Sequence, residues 1–475
     1  MSNIVFYDIG LLILFAAFFA TFLYRNRENL KREGLLYLYR TKWGMRLIEK
    51  TAKKFPKTLK VTGYAAIVSG YLLMIGMLVM VARIVVIYVF KPALAETVNQ
   101  AMNNAPPIMP LIPYLPEAFN ISFLPPFYFT YWIVILAIVA VTHEFAHGIF
   151  MRRYGINIKT TGFGFFPFFL PVFLAAFVEQ DEESMQKASK TEQKAVLAAG
   201  TFANVITGII ALGLFLLFLS TAFTQAGVTF DNYEFNTVAI GSITAVNNAT
   251  FEDKTYNNLL DSMKANESNT LKTGNETYLI TEKFLERQRA RAQSGNISAY
   301  YKSPAAKAGI KGHIQSIGGE KIKSRKELSE VLSRYSAGEN TTLKTTEGQY
   351  EITLQEHPNK QGVWLGIMLT DPRPVIGEHR STIPGVGEAG VYYKPDSQAA
   401  MFIEGLLEWL VLISFTVALV NMLPVGIFDG GRFFYLTIWE ITGSEKQGRR
   451  WFGYVTYFFL LLLVLIMAGW ILNLA

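Results

Sequence analysis

The stretch Tyr131-WIVILAIVAVT-His143-Glu144-Phe-Ala-His147-GIFM-Arg152-Arg153 decides the fold. Its apolar part is long enough to cross a bilayer as a helix, which takes about 20 residues. Three ionisable side chains sit inside it, and such groups are costly in hydrocarbon unless they have a purpose. On a helix, positions i and i+4 share one face, so His143 and His147 point at a common centre. Five further runs read in the same way, giving spans at roughly 4–24, 61–90, 127–151, 196–222, 401–424 and 451–474. The 475 residues are 51% hydrophobic and only 17% charged, against about 25% in ordinary soluble domains. This composition excludes a disordered chain, a coiled coil and a wholly soluble enzyme. The sequence has no cysteine, so it holds no disulfide, thiolate metal site or cysteine nucleophile.

Basic residues set the expected orientation. Segment 25–60 carries twelve Lys or Arg and three acids, a bias that keeps a short loop in the cytosol. Alternation then puts Arg152, Arg153, Arg449 and Arg450 in the cytosol, and residues 92–126 and 223–400 outside. The first span lacks a basic stretch before it and reads as an uncleaved anchor. Six N-x-S/T sequons, at Asn120, Asn248, Asn266, Asn275, Asn296 and Asn340, fall in the segments assigned to the outside. Residues 160–178 are apolar but interrupted by Pro167 and Pro171, and read as a re-entrant or edge-lying element facing protein.

Residues 223–400 are polar and rich in Asn, Thr and Lys. Strands are expected at 238–246, 341–346 and 350–356, with a turn at Glu347–Gly348. A helix is expected over 324–335, capped by Ser324 with Glu327 at the capping-box position, and a short one over 303–310, ending at Gly309. Segment 303–356 resembles the second half of a PDZ domain of the bacterial protease-associated type, though Lys311–His313 replaces the usual Pro-Gly-Asp. The stretch 247–300 reads as an insertion or a divergent first half. Such a domain binds extended peptide by strand addition or serves only as a steric cap.

The chemistry centres on His143, Glu144 and His147. Two imidazoles and a carboxylate around one ion, with a fourth position for water, is the catalytic zinc pattern, and Glu144 stands where a general base reaches that water. Two sources for the carboxylate exist: the acidic run at 179–183, which reads as a solvated edge, and Asp429 in Asn421-Met-Leu-Pro424-Val-Gly-Ile-Phe-Asp429-Gly430-Gly431-Arg432. Pro424 and Gly426 break the fifth span there and free backbone to face a site. Helical rise puts His143 about 13 Å from the boundary at Arg152, and Asp429 lies near the same end of its own span.

HExxH in one span and N-x-x-P-x-x-x-x-D-G in a later one resemble the site-2 protease family of intramembrane zinc metalloproteases. The resemblance covers about 127–440. Gly200-Thr-Phe-Ala-Asn204 also looks like the family's G-x-x-x-N element, and Phe428 stands where the family usually has Leu. It implies one catalytic zinc held by His143, His147 and Asp429, Glu144 as catalyst, and Asn204, Asn421, Pro424 and Gly430 supporting the site. It also implies transmembrane protein substrates and no nucleic acid. The expected architecture is an α-helical polytopic membrane protein of about six spans with an inserted extracytosolic α+β PDZ-like domain. Its parts are a transmembrane hairpin with basic loop (1–91), a first core part (92–222), the inserted domain (223–400, PDZ-like over about 235–370) and a second core part (401–475). Two rival readings are a catalytically silent PDZ-bearing receptor, which predicts damaged motifs, and a metal transporter, which predicts ionisable residues strung along the spans. Arg83, Glu404 and Glu408 stand apart from the motifs and trace no such path.

Overall fold

The computed structural model describes residues 3–472 except 34–35, 42–43, 103, 122–123, 166–173, 275, 293 and 359–361. Lys42, Pro167, Pro171 and the sequon at Asn275 therefore lie outside the described residues. The chain divides into two compact units, residues 1–219 with 402–475, and residues 220–401.

Among the described residues, six helices of the first unit and its margins are long and apolar enough to span a membrane. They are α1 (Asn3–Arg25), α2 (Pro56–Val85, continued by a π-turn at Val86–Phe90), α3 (Phe129–Arg153), α4 (Lys190–Ala222), α5 (Gln398–Asn421) and, after the shorter α6 (Asp429–Thr442), α7 (Glu445–Leu472). A helix is the natural form for these runs, because it satisfies every backbone group within the segment. Pro56 opens α2 at a position where no N–H is needed, and Gly443, in the left-handed region, ends α6. The six expected spans are all present, with ends shifted by a few residues.

The buried acid Asp8 on α1 joins the first span to the third. Its carboxylate accepts the backbone N–H groups of Phe129 (2.7 Å) and Thr130 (2.8 Å), with the Tyr114 hydroxyl as a further donor. It thus caps the first turn of α3 from a distant helix, in the role normally filled by a local N-cap residue.

Four strands complete this unit: β1 (Leu30–Glu33), β2 (Leu36–Thr41), β3 (Ile158–Phe165) and β4 (Leu174–Gln180). They form one antiparallel sheet in chain order, with Tyr39 opposite Phe163 and Thr161 opposite Val178. The element expected over 160–178 is thus a pair of strands at both of its described ends. Part of the basic segment 25–60 forms the other half of the same sheet.

Among the described residues the second unit holds two large cores and a small cluster of Leu279, Tyr300 and Ala306. Residues 235–301 form a six-stranded sheet around Ile243, Leu259, Leu271, Ile280 and Ile297. The stretch 247–300 is therefore a folded lobe with its own interior. The expected strand 238–246 breaks at a 3-10 turn over Ile240–Ser242. The second core, Val228, Ile310, Ile314, Leu328, Leu343 and Ile352, lies under a larger sheet that includes Phe223–Val228, Ile314–Ile317, Asn340–Thr345 and Val391–Pro395. The expected strand 350–356 is likewise two pieces, Gln349–Thr353 and Gln355–Glu356. Ser324 caps the helix Arg325–Leu332 by accepting from Glu327 N, while the Glu327 carboxylate reaches back to Lys323 N at 2.7 Å. Ser303 and Gly309 bound the short helix Pro304–Ala308 as its spacing predicts.

Candidate metal centre

His143 and His147 lie on the inner face of α3, one turn apart, and both are buried. Their Nε2 atoms are 3.0 Å from each other. Asp429 Oδ2 lies 3.2 Å from the first and 3.3 Å from the second. These three edges can be compared with what an ion would require. Zinc bound tetrahedrally at 2.0–2.1 Å sets its donors about 3.3 Å apart. The three atoms therefore form one face of a tetrahedron of the right size. Glu144 belongs to the same group, with a carboxylate oxygen and the two imidazoles all within 4.8 Å of one another.

The outer ring nitrogens settle which lone pairs face inward. His147 Nδ1 is 2.7 Å from the carbonyl oxygen of Val196, so Nδ1 carries the hydrogen and Nε2 is free to ligate. His143 Nδ1 is 3.0 Å from the carboxamide of Asn204, a fully buried residue. With the amide nitrogen turned to the ring, the Asn204 oxygen has no hydrogen-bond partner among the described residues. Which amide atom faces the ring follows from the network. A His143 that ligates through Nε2 has a hydrogen on Nδ1, so the Asn204 oxygen belongs there as acceptor. Metal-binding histidines generally have such partners.

One face of α4 supplies both contacts. Val196, Gly200 and Asn204 recur every four residues and so stand one above another. The first gives its carbonyl and the last its side chain. Gly200 lies between them because nothing larger fits: a Cβ there would be 2.5 Å from His147 Nε2 and 2.6 Å from His143 Nε2.

Asp429 is the first residue of α6, where the helix dipole favours an anion. The chain leaves α5 at Asn421, turns through the buried Pro424 and re-enters helix after Phe428. Gly430 makes this return possible, since a Cβ would run into the backbone of Met422. Asn421 ends α5 and, among the described residues, forms no hydrogen bond with the cluster. The acids at 179–183 do not join the three donors either. Glu179 pairs with Arg40 at 3.2 Å, and Asp181 caps the following turn by accepting from Ser184 N. Glu404 and Glu408, both buried, stand about 26 and 20 Å by helical rise before the end of α5.

Glu144 has a partner that sequence reasoning missed. The N–H of Val178 on β4 donates to Glu144 Oε2 at 3.0 Å. Among the described residues β4 ends its sheet, so this N–H points out of the sheet's edge to Glu144 on α3. By alternation, residues 176 and 180 turn their backbone groups the same way. A cleft beside this edge is lined by Glu144, His147, Val178, Glu179, Asp429 and Arg432, among others.

The sequence matches Peptidase family M50 over residues 131–345 and 376–465, more than half of the chain. The chain belongs to peptidase family M50. This is the site-2 protease family, and the His143-Glu144-His147 cluster has the geometry of its HExxH motif. The M50 chain is also similar to an uncharacterized protein of Methanocaldococcus jannaschii, with 28% identity over 193 residues. That match covers 40% of this chain and 46% of the relative, less than half the relative's length.

Proposed function

We propose that this M50 peptidase is a zinc-dependent endopeptidase that cuts peptide bonds within transmembrane segments of other membrane proteins. His143 Nε2, His147 Nε2 and Asp429 Oδ2 hold the ion, and Glu144 is the general base. The observation that carries this reading is the triangle of donors 3.0–3.3 Å apart, with a carboxylate beside it, inside helices of membrane-spanning length. When bound, zinc lowers the pKa of a water towards neutrality and polarises a carbonyl. Glu144 then takes the water's proton on Oε1, because Oε2 is held by the Val178 N–H, and delivers it to the leaving amine. Val196 and Asn204 keep both imidazoles in the ligating tautomer throughout.

A transmembrane helix is a poor substrate, since each of its carbonyls is already hydrogen-bonded. The outer edge of β4 offers a remedy. An unwound segment lying along this edge exchanges part of its helical hydrogen bonding for pairing with residues 176 and 180, the Val178 N–H staying on Glu144, and presents its carbonyl beside Glu144. Helix-breaking residues near the cut therefore favour cleavage. The basic segment 25–60 supports a metal centre towards the cytosol and residues 223–400 outside, in agreement with the sequons. The two helices and the strands within 303–356 support a PDZ-like domain there, which selects substrates by peptide binding or by size.

The test is co-expression of the chain with a panel of single-span membrane proteins. Glu144→Gln abolishes their cleavage while bound zinc stays near one per chain. Turnover of the variant close to that of the parent would refute the assignment.

A further inference from the structure

Arg432 lies on α6, one turn beyond Asp429, so both side chains emerge on the same face. It lines the same cleft as Glu144, His147 and Val178. A guanidinium offers five donors in a planar fork. Among the described residues Arg432 makes one contact, 3.5 Å from Glu182 Oε2, and that pair is weak because both side chains are open to solvent, at 32% and 58%. Glu182 has a better partner, since Gln180 Nε2 donates to its other oxygen at 2.6 Å. The neighbouring acids are engaged elsewhere: Glu179 with Arg40 at 3.2 Å, Asp181 with Ser184 N. Lys159, the other cation of the cleft, is 3.9 Å from Asp181 and half exposed. Arg432 is thus a loosely held, nearly unused fork facing the space beside the metal centre.

We propose that Arg432 reads an acidic side chain of the substrate, about two residues from the cut bond. Two spacings bound the reach. Arg432 is three residues along α6 from Asp429, about 4.5 Å of helical rise. On the opposite wall, Gln180 is two residues beyond Val178, about 6.6 Å of strand. A chain lying beside Glu144 and paired with β4 at Gln180, while the Val178 N–H stays on Glu144, therefore brings its second residue towards Glu182 into reach of Arg432. A carboxylate there displaces Glu182, which keeps Gln180, and gains a two-pronged charge-assisted contact in a partly enclosed cleft. An uncharged side chain leaves Arg432 on Glu182, and a lysine meets repulsion from Arg432 and Lys159.

This inference rests on the proteolytic reading, and its test separates the two. A cleaved single-span substrate, its cut bond mapped by mass spectrometry, is varied to Asp, Asn and Lys at the four positions on each side. The parent enzyme prefers Asp over Asn by about tenfold in kcat/KM at one position two residues from the cut, and disfavours Lys there. Arg432→Gln brings the Asp/Asn ratio near one, and Arg432→Glu shifts preference to Lys, with zinc content checked in both. A parent enzyme indifferent to charge at every position overturns the inference without recourse to any variant, as does an Asp preference that survives in Arg432→Gln. Either result, with cleavage still abolished by Glu144→Gln, leaves the peptidase assignment standing.

Discussion

Replacing Gly200 by alanine adds one methyl group at the most confined point of the site. The new Cβ would sit 2.5 Å from His147 Nε2 and 2.6 Å from His143 Nε2. Ordinary van der Waals contact lies near 3.5 Å, so α4 or the two rings must yield by about 1 Å. Neither ring moves freely, because Val196 and Asn204 hold their far sides. The donor triangle therefore distorts. Disturbing groups around a metal site typically costs 10–100-fold in affinity or activity, and a 1 Å misplacement about 100-fold in rate. Fold stability responds differently. Overpacking costs about 1–3 kcal/mol, and about 1 kcal/mol returns because alanine favours helix over glycine. Gly200→Ala should thus remain folded, with zinc affinity reduced at least tenfold against a competing chelator and substrate cleavage reduced about 100-fold. Zinc titration, thermal inactivation and cleavage on the same purified sample provide the assay. Zinc affinity and cleavage within threefold of the parent would show that α4 does not press on the histidines, and the account of the Val196-Gly200-Asn204 face would fail.

Two further outcomes concern more remote parts. Asp8→Ala leaves one buried and one partly buried N–H group at the start of α3 without their acceptor, at about 1–3 kcal/mol for the buried one, so the thermal midpoint should fall clearly while zinc per folded chain stays near one. An unchanged midpoint would mean that α1 does not anchor the helix. In the second unit, burial and secondarily the Arg380 charge push the His313 imidazole down to about 4, and its ring stacks on Tyr392 at 4.4 Å. Its folded-state pKa is thus below the unfolded value of about 6.5. Stability from a neutral His313 is intact above pH 6.5 and is lost as pH falls towards 4. Hydrogen exchange of strands 314–317 and 340–345, corrected for intrinsic rates, should accelerate over that window, and His313→Gln should flatten the response. Acceleration of equal size in the variant would assign the effect to another group.

The spans were legible because a bilayer imposes one length and one composition on each, whatever its neighbours. His143, Glu144 and His147 were legible because helical spacing alone brings them together. Asp429 was one of two candidate carboxylates, singled out by the break in its span and its depth and then implied by the resemblance; nothing local links it to residues 286 positions earlier, and the fold brings it to 3.2 Å from His143. Other parts of the site were silent for physical reasons. The Val196 carbonyl and the Val178 N–H are backbone groups that every residue carries, so no residue type marks them. Asn421, although part of the motif, makes no bond to the cluster among the described residues. Asp8 did leave a signal: a lone acid in the first apolar run is costly unless it has partners, and it has four donors. The sheet was hidden because residues 30–41 and 158–180 are far apart in sequence. Short strands at 238–246 and 350–356 looked continuous, since alternation does not register a single 3-10 turn or an unpaired residue.

The most direct test of the central claim is the zinc content of purified, folded Asp429→Ala, measured beside Glu144→Gln. The two carboxylates lie at the same centre but are given different work, one as ligand and one as base. Asp429→Ala leaves two imidazoles, one protein donor fewer than most catalytic zinc sites possess, so zinc and activity should fall together. Glu144→Gln should lose activity and keep about one zinc per chain. Full zinc occupancy in folded Asp429→Ala would contradict the account and place the third ligand elsewhere.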